Sequence, residues 1–266
     1  MTLHYAEVIG DPIVQSKSPL IHNFWLGKLG VEADYRATLV TSATLAGYLA
    51  QRRTDLAWRG CNVTMPLKLA VAPLVEHVDD FARRAGAINT VVFDGRQLRG
   101  GNSDGAGFLE PMANLEPGVA WLIGTGGAAC AIALALGDAG FSVTVFGRSI
   151  ERATALAVLA GGTAQLLDDL HPSGAVCLLV NASALGMTGQ PPLDLSLGEW
   201  PRGTAVYDIV TSPVETQLLV EAKAHGMPTF DGLQMLVGQA AVAFERFFGQ
   251  PAPREHDAEL RRLLIS

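Results

Sequence analysis

The sequence predicts an α/β protein in two lobes, and three observations carry that expectation. Strand-like and helix-like segments alternate along most of the 266 residues. A hairpin signal at Asp94-Gly95, followed by the helix-breaking Glu116-Pro117-Gly118, separates a first half from a second, with the boundary between Asn102 and Gly118. The second half then opens with "VAWLIGTGGAACAIALALGDAG", an apolar strand, a glycine-rich turn and an alanine-rich helix.

In the first half "YAEVIG" reads as a strand. "SPLIHNFWLGKLG" reads as a helix with Ser18 as N-cap, Pro19 at the first helical position and Gly30 as stop. "DYRATLV" is a second strand and "SATLAGYLAQRR" a second helix. "WRGCNVT" is a third strand running into Pro66, which can open a helix "PLKLAVAPLVEHV" because the first helical position needs no N–H. "DDFARRAGA" is helical, "NTVVFDGRQLRGGN" is the hairpin, and "SDGAGFLEPMANL" is the helix that leads to the break.

In the second half Gly124, Gly126 and Gly127 let the backbone turn tightly from strand to helix and let a phosphate approach the N–H groups at the helix start. Ala128 and Ala129 allow close helix–strand packing. Glycine-rich turns also occur as plain connectors, but a strand before and a helix after point to a dinucleotide site. The next strand, "SVTVFGRS", ends without the acid that bonds the ribose 2′-hydroxyl of NAD; Arg148, Ser149 and Arg152 stand there instead. Two arginines suit a 2′-phosphate, so the cofactor expected is NADP. The plainer alternative is a solvated helix start, with Glu151 offsetting part of the charge. "AVCLLVNAS" and "TAVYDIV" are further strands, and "SPVETQLLVEAKAHG" is a helix ending at Gly226. After the short "PTFDG" come the helices "LQMLVGQAAVAFERFFG" and "REHDAELRRLLI". The spacing of Leu236, Val237, Ala240, Ala241 and Phe244 gives the first of these one core face, with Gln239 polar on or beside it.

Composition narrows the ligand. A net charge of −7 without a basic run argues against nucleic acid or an anionic membrane as partner, which leaves a small molecule. No signal-peptide pattern or membrane-length apolar run is present, and Cys61, Cys130 and Cys177 lack disulfide or metal spacing. A cytoplasmic protein without a metal, monomer or homodimer, is the expectation. One residue stands out against the rest: the chain holds fifteen arginines and four lysines, yet position 68 is a lysine. A guanidinium stays protonated, whereas an amine can release and regain a proton. Lys68 is therefore a candidate for proton transfer, the alternative being a solvated surface lysine.

The chain resembles the shikimate dehydrogenase family over essentially its whole length. The matching motifs are "SKSPLIHN" from Ser16, "NVTMPLK" from Asn62, "AGAINT" from Ala85, "GNSDGAG" from Gly101, "GTGGAACA" from Gly124, "GRSIERA" from Gly147, "NASALGM" from Asn181 and "DGLQMLVGQA" from Asp231. The resemblance implies a substrate-binding α/β domain over residues 1–101, a Rossmann-type NADP-binding domain over 102–236, and C-terminal helices, 237–266, returning to the first. It implies NADP-dependent interconversion of shikimate and 3-dehydroshikimate, with Lys68 and Asp104 as the catalytic pair. Ser16 and Ser18 would hold the substrate carboxylate, and Asn62, Thr64, Asn89 and Gln239 would bond ring hydroxyls. Gly124, Gly126, Gly127, Ala128, Arg148, Ser149, Arg152, Ala182, Met187 and Gly232 would hold the cofactor.

Four departures from the family pattern bear on specificity. Ser103 replaces Thr before the catalytic Asp, Gly147 replaces Asn before the NADP arginine, and Ser183 and Ala184 replace Thr and Ser. Thr211 stands where a tyrosine usually reaches the substrate carboxylate. Loss of that phenol removes one hydrogen bond to a charged group, on the order of 1.5–3 kcal/mol. A relative acting on quinate or an amino-substituted analogue is thus an alternative. A non-catalytic ligand sensor is a second, against which Lys68 and Asp104 speak, since a pure binder needs no proton-transfer pair. A two-lobed folate dehydrogenase is a third, which gives no reason for the Ser16/Ser18 pair.

Overall fold

The structure, a computed structural model, describes residues 3–172 and 175–266. The chain forms two compact units, Met1–Ser103 with Val237–Ser266, and Asp104–Leu236.

The first unit runs β1 (His4–Gly10), α1 (Ser18–Leu29), β2 (Ala33–Leu39), α2 (Leu45–Arg52), β3 (Trp58–Val63), β4 (His77–Val78), α3 (Asp80–Ala85), β5 (Thr90–Phe93) and β6 (Leu98–Gly101). Its sheet has the order β2-β1-β3-β5-β6-β4. β1 pairs parallel to β2 and β3, while β5 lies antiparallel to β3 and β6 as the hairpin requires. Side chains alternate across the sheet. Tyr5, Ile9, Trp58, Cys61 and Val63 pack on one face with Leu45 and Leu49 of α2. Ala6, Val8 and Tyr35 pack on the other, against Ala243 and Phe247 of the long C-terminal helix. On the α2 face the alternation also buries a charge: Glu7, 1 % exposed, is gripped by Arg52 at 2.7 and 2.9 Å, Tyr48 at 2.6 Å and Thr38 at 2.6 Å.

The second unit begins with α4 (Asp104–Leu109) and continues β7 (Val119–Ile123), α5 (Gly127–Asp138), β8 (Ser142–Gly147), α6 (Ile150–Ala160), β9 (Thr163–Leu166), β10 (Val176–Asn181), β11 (Ala205–Asp208), α7 (Gln217–Ala224) and β12 (Thr229–Asp231). α8 (Gly232–Phe248) starts in this unit and ends in the first, where α9 (Asp257–Ile265) follows. The sheet is parallel at every pairing, in the order β12-β11-β10-β7-β8-β9. That is the order of doubly wound nucleotide-binding sheets, with the chain reversing its direction of travel between β7 and β10. One face carries Ala120, Leu122, Leu178 and Val180, the other Ile123, Leu179 and Val206, so both faces are covered.

Three expectations are corrected. No helix opens at Pro66: the segment closes as short turns, Leu67 N to Thr64 O and Ala70 N to Leu67 O, with a single 3-10 turn at Ala72–Leu74. Pro73 has no N–H to offer a helix, and the Lys68 carbonyl accepts from Ile88 N at 2.8 Å. The end of the expected helix is instead β4, paired with β6. Ser18 is not the cap of α1; Lys17 holds that position without a side-chain bond, although Gly30, at φ 64°, ends the helix as expected. The helix expected from Ser212 begins only at Gln217, capped by Thr216. β9 and β12, four and three residues long, carry too little alternation to be read from sequence.

Candidate functional site

Each unit carries one group of the expected residues. In the first, a buried network of amides and hydroxyls lies where β3 ends and β5 begins. The Asn62 amide accepts from Tyr35 Oη at 2.6 Å and donates to Asn89 O and Thr90 Oγ1, both at 3.2 Å. Thr90 Oγ1 donates to Asn89 Oδ1 at 2.8 Å, which also accepts from Ser103 N at 2.8 Å. Asn89 Nδ2 donates to Ser103 Oγ at 3.0 Å, and Ser103 Oγ reaches Gln239 Oε1 of α8 at 3.4 Å. Asn62, Asn89 and Gln239 are each under 9 % exposed, so these bonds hold amides that water would otherwise occupy. Ser103 uses its hydroxyl and backbone N–H, which explains why serine serves in place of threonine.

The other expected residues of this unit sit on loops, or in the case of Ser18 on the first residue of α1, at the same ends of the parallel strands. Thr64 follows β3, its N–H donating to Ile9 O of β1 at 2.9 Å. Ser16 and Ser18 follow β1; the Ser18 backbone N–H donates to Ser16 Oγ at 3.3 Å, which turns the Ser16 side chain back toward the start of α1. Lys68 is half-buried on its turn, fixed by the bond from Ile88 N, the residue before Asn89. Asp104, 4 % exposed, is the first residue of the second unit and of α4, where a carboxylate suits the helix start.

In the second unit β7 leads into the glycine turn and α5. Gly124 has φ 118°, and a Cβ there would lie 2.7 Å from the Ala182 carbonyl carbon, so glycine alone lets this turn meet the end of β10. A Cβ at Gly126 would meet nothing within 4 Å, which leaves the approach to the start of α5 open. That opening, at the strand reversal and at the N-terminus of a helix of twelve residues, fits a pyrophosphate. Gly147 ends β8, where a Cβ would lie 2.9 Å from Thr125 Cγ2. The β-branched Thr125 therefore fills the space an asparagine would need. Ser149 caps α6 and donates to Glu151 at 2.6 Å. Arg148 and Arg152 are exposed, and among the described residues neither guanidinium is paired with a carboxylate.

The loop after β10 is tied down by groups that the sequence alone does not single out. Asn181 Nδ2 donates to Asp208 Oδ1 and to Leu185 O, each at 3.0 Å, while Asn181 Oδ1 accepts from Ser183 N and Oγ at 3.1 and 2.7 Å. Ser183 Oγ in turn accepts from Leu185 N at 3.1 Å. Asp208 is fully buried and accepts further bonds from Thr216 Oγ1 at 2.6 Å and Val210 N at 3.1 Å. Burial raises its pKa, and the three donors offset only part of that. Ala182 and Met187 lie on this loop, and Gly232 opens α8 against the Ile209 and Val210 carbonyls. Asn181 belongs to the "NASALGM" motif, but its role as a hub shows only through Asp208, twenty-seven residues on.

Tyr35 likewise reads from sequence only as part of a strand. Among the described residues no cluster of His, Cys, Asp and Glu forms a metal site, and no helix is long and apolar enough to cross a membrane. An open hollow lined by Leu3, His4, Glu32, Thr54, Asp55, Leu56 and Ala57 lies at the opposite ends of β1 and β3 and holds none of the expected site residues.

Fold and geometry thus define a two-unit α/β protein with a dinucleotide-type turn in one unit and an amide- and hydroxyl-rich polar site in the other. Comparison with known proteins agrees. A family model described as the shikimate dehydrogenase substrate binding domain matches residues 8–91, and one described as the shikimate 5'-dehydrogenase C-terminal domain matches residues 232–259. The chain is 52% identical to a shikimate dehydrogenase (NADP(+)) of Sphingopyxis alaskensis, over 98% of this chain and 97% of that one. The crystal structure of shikimate 5-dehydrogenase from Thermus thermophilus in complex with NADP(H) and shikimate is similar at TM-score 0.89 and 37% identity, over 99% of this chain and 100% of that one. Quinate dehydrogenase from Corynebacterium glutamicum in complex with NAD is similar at TM-score 0.88 and 29% identity, over 98% and 99%. The chain belongs to the shikimate dehydrogenase family.

Proposed function

We propose that this chain catalyses the NADP-dependent interconversion of shikimate and 3-dehydroshikimate. The observation that carries the proposal is the neutral network around Asn62, Asn89, Ser103 and Gln239, which presents amides to a polyhydroxylated ring in a chain whose relatives are NADP-dependent shikimate dehydrogenases. A site built to bond particular hydroxyls rejects analogues that leave its own polar groups unpaired.

In this reading Asn62, Thr64, Asn89 and Gln239 orient the ring, and Ser16 and Ser18 bond its carboxylate. Lys68 removes the hydroxyl proton as the alcohol is oxidised and returns it in the reverse direction. Asp104 is the second member of the catalytic pair. The open turn at Gly126, with Gly124, Gly127 and Ala128, bonds the pyrophosphate. Arg148, Ser149 and Arg152 bond the 2′-phosphate. The loop with Ala182 and Met187, together with Gly232, holds the remainder of the cofactor. Bound NADP supplies the hydride acceptor.

The test is Lys68→Arg, which keeps the charge and replaces an amine that can lose its proton with a guanidinium that does not. We expect kcat to fall by about 10²–10⁴, with NADP affinity and melting temperature unchanged; near-wild-type turnover overturns the role of Lys68. Thr211, half-buried after β11, supports a second reading in which quinate or an amino-substituted analogue is preferred. Rates with shikimate and quinate, each with NADP and NAD, decide between the two.

A further inference from the structure

Tyr35 is buried behind Asn62, and the structure holds its ring and its backbone from other elements. The ring stacks on His22 at 3.9 Å, with 3° between the planes. Asn23 bonds both backbone groups of Tyr35, Nδ2 to its carbonyl and Oδ1 to its N–H, each at 2.9 Å. His22 is fully buried with neither ring nitrogen hydrogen-bonded, and burial holds its pKa down at about 3, so it packs as a neutral ring. The second half of the "SKSPLIHN" motif therefore grips Tyr35, while its two serines face the ligand in the proposed reading.

The hydrogen-bond polarity is determined from fixed points. Asn89 O is a carbonyl and can only accept, so the Asn62 atom facing it must be the amide nitrogen. The other Asn62 atom is then the oxygen, and the Tyr35 hydroxyl must donate to it. Both N–H groups of the Asn62 amide are used, one on Asn89 O and one on Thr90 Oγ1. What Asn62 has left for a ligand is one lone pair on Oδ1.

We infer that Tyr35 is a positioning residue for substrate recognition: its hydroxyl takes one lone pair of the Asn62 carbonyl oxygen and holds in place the amide whose sense Asn89 O sets, so that the group met at the remaining lone pair is a hydroxyl that donates. The inference rests on the proposed role of Asn62 and goes beyond it by giving the sense of the bond and naming the residue that holds its acceptor in place.

The experiment compares Tyr35→Phe, Asn62→Ala and Tyr48→Phe with the wild-type enzyme, reading KM for shikimate, KM for NADP, kcat and melting temperature. Tyr48 is the control, since its hydroxyl is bonded to Glu7 on the opposite face of the same sheet. We expect Tyr35→Phe to raise the shikimate KM about five- to twentyfold, the effect of one buried hydrogen bond, and to leave the NADP KM within twofold. Tyr48→Phe lowers the melting temperature without moving either KM. Shikimate analogues lacking one ring hydroxyl at a time complete the test: one of them binds poorly to wild type, and its penalty shrinks in Tyr35→Phe. If Asn62→Ala raises the shikimate KM and Tyr35→Phe leaves it unchanged or lowers it, the inference fails. If Asn62→Ala itself has no effect, the assignment of Asn62 fails first.

Discussion

Glu7 in the first unit and Asp208 in the second are both carboxylates buried beneath a sheet end or face, and their proton affinities move in opposite directions. For Glu7, burial pushes the pKa up, but Arg52, Thr38 and Tyr48 together hold it below its usual value. For Asp208, burial again pushes it up, and Thr216, Val210 and Asn181 do not bring it back. The number of donors is similar; the difference is a cation. A guanidinium compensates a desolvated carboxylate where neutral donors compensate only part of the cost. Glu7 is accordingly placed to hold the first sheet to α2. Asp208 accepts a cost in order to organise a loop.

The largest effect that breaks this contrast is Glu7→Ala. Removing one partner of a buried pair leaves Arg52, Tyr48 and Thr38 without their acceptor, and we expect a loss of about 3 kcal/mol, read by hydrogen exchange in peptides of the first unit, with no change in either KM of the protein that remains folded. Asp208→Ala comes next. It orphans three donors but also removes an unfavourable buried charge, so the stability loss is about 2 kcal/mol. Its distinguishing sign is a rise in the NADP KM, while Asp208→Asn, which keeps the carbonyl for Asn181 and Val210, stays close to wild type. An unchanged NADP KM in Asp208→Ala would show that the Asn181 loop does not depend on its hub.

The smallest effect, and the sharpest, is in pH. Glu7, with its pKa below the 4.5 of an unfolded glutamate, contributes stability that is complete above that value and is lost as pH falls through the folded pKa. Asp208, with its pKa above 3.8, costs stability above the folded pKa, and that cost fades as pH falls toward 3.8. Relative to wild type, the deficit of Glu7→Gln therefore narrows in acid. Any advantage of Asp208→Asn also narrows, because wild type gains there. Hydrogen exchange resolved by unit, from pH 7 down to below both reference values of 4.5 and 3.8, reads both.

The sheet of the second unit was legible because each parallel strand is an apolar run followed by a turn signal, and "GTGGAACA" announces its own geometry. The polar site was legible only through whole motifs. Asn62, Asn89 and Gln239 lie far apart in sequence, and nothing in their local spacing draws them together; their match to a family pattern does. Tyr35, Thr90 and Asp208 escaped because a tyrosine, threonine or aspartate in a strand usually reads as filling or solvated surface. Their roles depend on partners on other strands and on a helix start. The helix expected at Pro66 failed for a related reason. Local propensity favoured it, but the Lys68 carbonyl is taken by Ile88, in the segment that leads into the neighbouring strand β5.

The grip of Asn23 on Tyr35 has a consequence for the chain's behaviour in a crowded solution. β2 lies at the rim of its sheet and is seven residues long, whereas the other rim strands, β4, β9 and β12, have two, four and three. A long rim strand with open N–H and C=O groups is a template for pairing with a neighbouring molecule. Asn23 occupies both groups of Tyr35, the third residue of β2, and the Asp34–Arg36 ion pair at 2.6 Å sets charge on either side of it. The contact that orders Tyr35 inside the molecule thereby also guards its longest open strand against aggregation.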